Sequence, residues 1–222
     1  MQTRKFIAFY RPTCHILTVV QHMKKALYIS IILLTLSCEN KTTEIRYYPT
    51  DRDFSNETSE LIRLDTTKLN FRQITNKVGT YYKDFGKLVV EFDDGKIKKR
   101  ITPYVYDGGF IRYRNVLPIT SDSILKEKGF PISELKHILK KHYLNRDENF
   151  QYAQSPKKAL VEVTIDTSKT GKELEKVLLK LTRAFDEIKE EVNDTIELRV
   201  FFDYFRQIPP PPPPPKIEIE ME

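Results

Sequence analysis

The sequence predicts an α+β domain: a mixed sheet from N-terminal β-hairpins plus a C-terminal βαβ unit, with helices on one face. Two observations carry this. Short alternating apolar runs closed by Asp and Gly turns fill residues 69–118, and the last third places a helical period between two alternating segments.

Within residues 87–92, Leu88, Val90 and Phe92 share one side, and Asp93-Asp94-Gly95 offers a turn. Ile97, Lys99 and Ile101 then alternate with Lys98 and Arg100, which completes a hairpin. A second hairpin is expected from residues 104–106 and 110–116 around Asp107-Gly108-Gly109, because glycine accepts the positive φ of a tight turn. A phosphate cradle at this double glycine would need a helix N-terminus directly after it, and the pattern offers none.

Residues 131–144 read as a short helix, with Ile132, Leu135, Ile138 and Leu139 at helical spacing and Pro131 suited to the first turn. Ala159, Val161, Val163 and Ile165 alternate along a strand. Thr170 and Glu173 stand at capping-box spacing before a helix whose stripe is Leu174, Val177, Leu178, Leu181, Phe185 and Ile188. Asn193 and Asp194 stop it, and Ile196, Leu198, Val200, Phe202 and Tyr204 alternate along a last strand. The globular part is expected over residues 61–208, with a possible lobe boundary at 119–130.

Residues 23–38 read MKKALYISIILLTLSC. The apolar run 26–36 is too short to span a bilayer, which takes about 20 residues, and suits the h-region of a signal peptide. Thr35-Leu36-Ser37-Cys38 resembles the lipobox of bacterial lipoproteins, although Thr35 fills the place where leucine is usual. The resemblance implies that residues 23–37 are removed, that Cys38 is acylated, and that the protein is anchored to the membrane by lipid. Residues 1–22 then precede the basic n-region and are expected to be a mis-assigned extension, with Met23 the true start. Residues 38–60, polar apart from Ile45, Tyr47, Tyr48 and Phe54, read as a tether.

The formal charge is +6, but Arg4, Lys5, Arg11, Lys24 and Lys25 account for all but one of it. The processed chain is near neutral and gives no footprint for nucleic acid. Its only cysteine is then Cys38, so neither a disulfide nor a cysteine metal site is expected in the folded part. His137 and His142 lie five apart, about 140° around a helix, and are expected at the surface. No metal or cofactor is predicted.

No serine elbow, Walker loop or dinucleotide fingerprint occurs, so no catalytic residue is assigned. Asp84, Glu91, Asp93 and Asp94 are the acids that a paired-carboxylate hydrolase would draw on. Residues 209–215 are seven consecutive prolines, a polyproline II rod of roughly 22 Å. Beyond it Ile217, Ile219 and Met221 alternate with Glu218, Glu220 and Glu222, the pattern of a strand added to another sheet. Pro209, Pro212, Pro215, Ile217, Ile219 and Met221 are the expected partner-binding residues. The resulting expectation is a lipid-anchored, non-catalytic binding or structural protein of a Gram-negative envelope, at the outer membrane facing the periplasm, with an envelope protein as partner. An immunity lipoprotein that occludes a toxin and an envelope hydrolase are the alternatives.

The anchor is directly testable. Intact mass of the membrane-extracted protein is expected to equal residues 38–222 plus acyl chains, each buried CH₂ holding it by about 0.8 kcal/mol. Cys38→Ala should abolish that mass, and recovery of the wild type in the soluble fraction would refute the anchor.

Overall fold

The computed structural model describes residues 44–54, 59–83, 86–106, 110–192 and 196–204. The fold is α+β, with two mixed sheets and three α-helices among these residues. The first sheet holds β1 (Glu44–Tyr48), β2 (Ser59–Arg63), β3 (Lys87–Asp94) and β4 (Ile97–Ile101) in the order β1-β4-β3-β2. The second holds β5 (Val116–Ile119), β6 (Ser123–Ile124), β7 (Phe130–Pro131), β8 (Leu160–Val163) and β9 (Val200–Phe202) in the order β7-β6-β5-β8-β9. The helices are α1 (Phe71–Lys83), α2 (Leu135–Leu144) and α3 (Gly171–Glu191).

The β3–β4 hairpin forms in the expected place. Its loop is Gly95-Lys96 rather than Asp93-Asp94-Gly95, because Asp94 still pairs with Ile97 and Gly95 takes φ +63°. Leu88, Val90, Phe92 and Ile101 point into the core. Strands β8 and β9 run parallel across α3, which is the expected βαβ unit. β5 and β8 are buried at every residue, as parallel strands covered on both faces are. The last strand is regular only over Val200–Phe202, yet Ile196, Leu198, Val200, Phe202 and Tyr204 are all buried, as their alternation demands.

Four expectations are corrected. The stretch 69–118, expected to be β-rich throughout, opens with the helix α1, whose Phe71, Ile74 and Val78 are buried at helical rather than alternating spacing. The stretch expected as a tether is folded from Glu44: β1 pairs parallel with β4, and Tyr48 joins the core. Its apolar residues are few, but Tyr48 alone supplies an aromatic ring to the interior and a hydroxyl that donates to Asp186 at 2.7 Å. No lobe boundary falls at 119–130, where β6 and β7 extend the second sheet and Ile124 is buried in the common core. The second hairpin does not form among the described residues. Instead, the Thr102 N–H donates to Tyr48 O at 2.9 Å and the Tyr104 N–H to Val200 O at 2.7 Å. Between them Pro103 has no N–H to offer, so the segment crosses from one sheet to the other rather than returning on itself.

The helices close both sheets into one cluster of buried side chains. In α3 the whole expected stripe is buried, and Glu173 accepts from the Thr170 N–H at 2.8 Å, the reach-back half of the capping box. Gly171 starts this helix because an added Cβ would collide with the Thr67 side chain and come within 3.0 Å of Leu64 O. That close approach lets the α1 and α3 N-termini lie side by side, bridged at Asn70 and Thr170. Phe185 is 2% exposed and sits 6.2 Å from the Tyr48 ring and 5.6 Å from the Tyr143 ring. It therefore joins β1, α2 and α3. Phe185→Ala is expected to cost about 3–5 kcal/mol in urea unfolding; a loss below about 1 kcal/mol would show that these rings do not form a packed core.

Candidate binding groove

An open apolar groove lies beside the segment that crosses between the sheets. It consists of two adjoining cavities of about 340 and 500 Å³, both lined by Val78, Tyr104 and Val105. One wall is α1, whose Thr75, Val78 and Gly79 face the larger cavity. The opposite wall is the edge of the second sheet at Phe201, Phe202 and Asp203. Tyr106 and Phe110 complete the rim, 50% and 104% exposed. A Cβ added to Gly79 would meet nothing within 4 Å, so the floor over this helix turn is open space. The Tyr104 and Tyr106 hydroxyls have no hydrogen-bond partner among the described residues.

Beyond Tyr104 the smaller cavity reaches Glu197 and Arg199, and these two residues also line a third cavity of about 490 Å³ next to Pro156 and Lys157. The Arg199 Nε–H is buried and finds no acceptor among the described residues. An unpaired guanidinium donor is costly to bury, and a carboxylate arriving in this cavity satisfies it bidentately. The site thus offers aromatic faces and phenol donors at one end and a cation at the other. It is equipped to hold an extended, partly acidic chain.

The acids of the β3–β4 hairpin are held in ion pairs. Lys99, 1% exposed, contacts Asp94 at 2.9 Å and Asp186 at 3.1 Å and donates to Thr182 Oγ1 at 3.0 Å. Arg183 and Lys99 together hold the Asp94 carboxyl down to about 2, so it stays ionised and makes a poor general acid. On the other face of the hairpin Glu91 is clasped by Arg100 at 2.8 Å and Lys98 at 3.2 Å, and Lys98 also holds Asp93 at 2.8 Å. These are the acids a hydrolase would have drawn on, each bound to a base; Asp84 lies outside the described residues.

His142 corrects a further expectation, since it is fully buried rather than at the surface, while His137 is exposed. Position 142 falls on the inward side of α2 beside Leu139 and Tyr143. The His142 Nε2–H donates to Asn115 O at 3.1 Å and Nδ1 accepts from the Ala153 N–H at 3.4 Å, which fixes a neutral tautomer. Burial, aided by the nearby Lys126 charge, pushes its pKa down to about 4. Lys126 is itself fully buried, its ammonium held by Val116 O at 2.9 Å and by Tyr113 O and Arg114 O at 3.3 Å each. Among the described residues no group of three His, Cys, Asp or Glu side chains could hold a metal ion.

Cys38, Pro209, Pro212, Pro215, Ile217, Ile219 and Met221 all lie outside the described residues. The groove itself was not expected from the sequence. Its signal was present as Tyr104, Tyr106 and Phe110 around a Pro103 and a double glycine, a cluster of aromatics where regular strand pairing is broken.

Because His142 is neutral when folded and protonates more readily when unfolded, stability should fall as pH drops from about 6.5 to about 4 and then level off. The loss is on the order of 3 kcal/mol for this one group. His142→Gln, which keeps a donor for Asn115 O, should flatten that part of the urea-unfolding pH profile; an unchanged slope would show that the imidazole is not responsible. Compared with protein-family models, curated proteins and solved structures, the chain matches none.

Proposed function

We propose that this is a lipid-anchored, non-catalytic interaction protein of a Gram-negative envelope, held through Cys38 at the outer membrane and facing the periplasm, and that its docking site for an envelope partner is the aromatic groove. The observation that supports this most is the row of exposed aromatic residues along an open groove, Tyr104, Tyr106 and Phe110, ending at the unpaired Arg199. Aromatic side chains supply contact area at low entropic cost, and buried arginine pairs are typical anchors of interfaces.

Filling the groove separates this reading from a general structural role. Gly79→Leu places a side chain in the open space over α1 and replaces a poor helix residue, so it should raise stability by about 0.5–1 kcal/mol. The same variant should lose the partner that cross-links to the wild-type protein in intact envelopes, as should Phe110→Asp, which changes a fully exposed side chain. An unchanged cross-linking pattern for both variants would remove the groove from the interaction.

A further inference from the structure

The groove presents its chemistry in an order that one segment of this chain reproduces. The last described residues run through Phe201, Phe202 and Asp203, which line the larger cavity, to Tyr204. The seven prolines begin at residue 209, six residues beyond Asp203 and within about 20 Å of extended chain. Asp203, Phe110, Tyr106 and Tyr104 line the larger cavity, and Tyr104 is shared with the smaller one, which reaches Arg199 beside Glu197. Moving away from residue 208, the tail passes its prolines and then Glu218, Glu220 and Glu222.

The groups also match in kind. Proline rings stack on aromatic faces, and a polyproline II segment has carbonyl acceptors but no N–H donors. Tyr104 and Tyr106 offer hydroxyl donors with no other partner among the described residues. Arg199 offers the buried donor that a carboxylate accepts from. A preformed rod loses little conformational entropy on docking, and a linker this short keeps the tail at an effective concentration in the millimolar range.

We propose that residues 209–222 are the resident ligand of the groove, bound in cis with the prolines over Tyr104, Tyr106 and Phe110 and the glutamates toward Arg199. This rests on the reading of the groove as a docking site and gives that site its ligand class, a proline-rich acidic segment. A partner carrying such a segment displaces the tail, so the tail sets a threshold for partner binding.

The probe is a labelled synthetic peptide with the sequence of residues 209–222, titrated by fluorescence anisotropy into the full chain. The comparison is a full chain in which all seven prolines are replaced by serine. The serine variant should bind the peptide about tenfold or more tightly than the wild type, whose groove is already occupied. Adding Gly79→Leu to the serine variant should abolish binding while thermal melting shows it folded. Equal affinity for both chains, no binding by the serine variant, or binding indifferent to Gly79→Leu would each overturn the inference. A wild-type dimer that the serine variant does not form, seen by sedimentation, would overturn it by assigning the tail to a second copy. If Gly79→Leu costs the envelope partner but the peptide does not bind, the docking site stands and only its proposed ligand fails; if Gly79→Leu costs neither, both fail.

Discussion

The lysine inside the hairpin sets the arrangement of the first sheet against α3. Lys99 lies on the same side of β4 as Ile101 and opposite Phe92 of β3, in a position where an apolar residue is the default. Its ammonium instead meets Asp94 at the end of β3 and Asp186 and Thr182 on α3. Asp186 also accepts from Tyr48 at 2.7 Å and from Arg46 at 3.0 Å, both on β1. One buried cation and two carboxylates thereby connect three strands and a helix, with Arg183 and Arg46 as second cations for Asp94 and Asp186. Nonpolar packing alone would allow α3 to slide along the sheet; this set of hydrogen-bonded charges has a single good register.

How much of this was legible in the sequence follows from the range of each interaction. The β3–β4 hairpin, the α3 stripe and its capping box depend on neighbours within a few residues, and all three are read correctly from spacing. The alternation of Ile196 through Tyr204 likewise predicts which side chains are buried, even where the ladder itself is irregular. β1 is not legible, because its pairing with β4 lies about 50 residues away and its sequence, EIRYY, looks solvated. The burial of His142 is not legible for a related reason. Its neighbours Leu139 and Tyr143 mark the inward face of α2, but burial of an imidazole also needs Asn115 O and the Ala153 N–H from distant loops. The charge set around Lys99 was half visible: the alternation puts Lys99 on the apolar side, while its partner Asp186 lies on α3, 87 positions further along the chain.

The groove is a consequence of how the two sheets are joined. β9 is the last strand of its sheet, and an edge of unpaired backbone groups is a liability that folds usually cover. Here the cover is the crossing segment, which leaves β4 at Ile101 and gives one hydrogen bond to Val200 O through Tyr104. Pro103 prevents a regular ladder, so the segment stands off from α1 and the space between them stays open, with Gly79 contributing no side chain to fill it. Aromatic residues that would have packed between paired strands remain at the surface.

The charge set and the groove belong to the same strand. Lys99 is fixed by α3 three residues before Thr102, whose N–H is held by Tyr48 O, and Tyr48 is in turn bound to Asp186. The position of Tyr104, and with it the boundary shared by the two cavities, therefore descends from the buried cation through contacts of known length. Residues 102–104 are pinned at both ends, by Tyr48 O on one sheet and Val200 O on the other, so Tyr104 does not stand on an unsupported loop. Polar groups that the core would otherwise exclude thereby fix the backbone at the boundary of the two cavities.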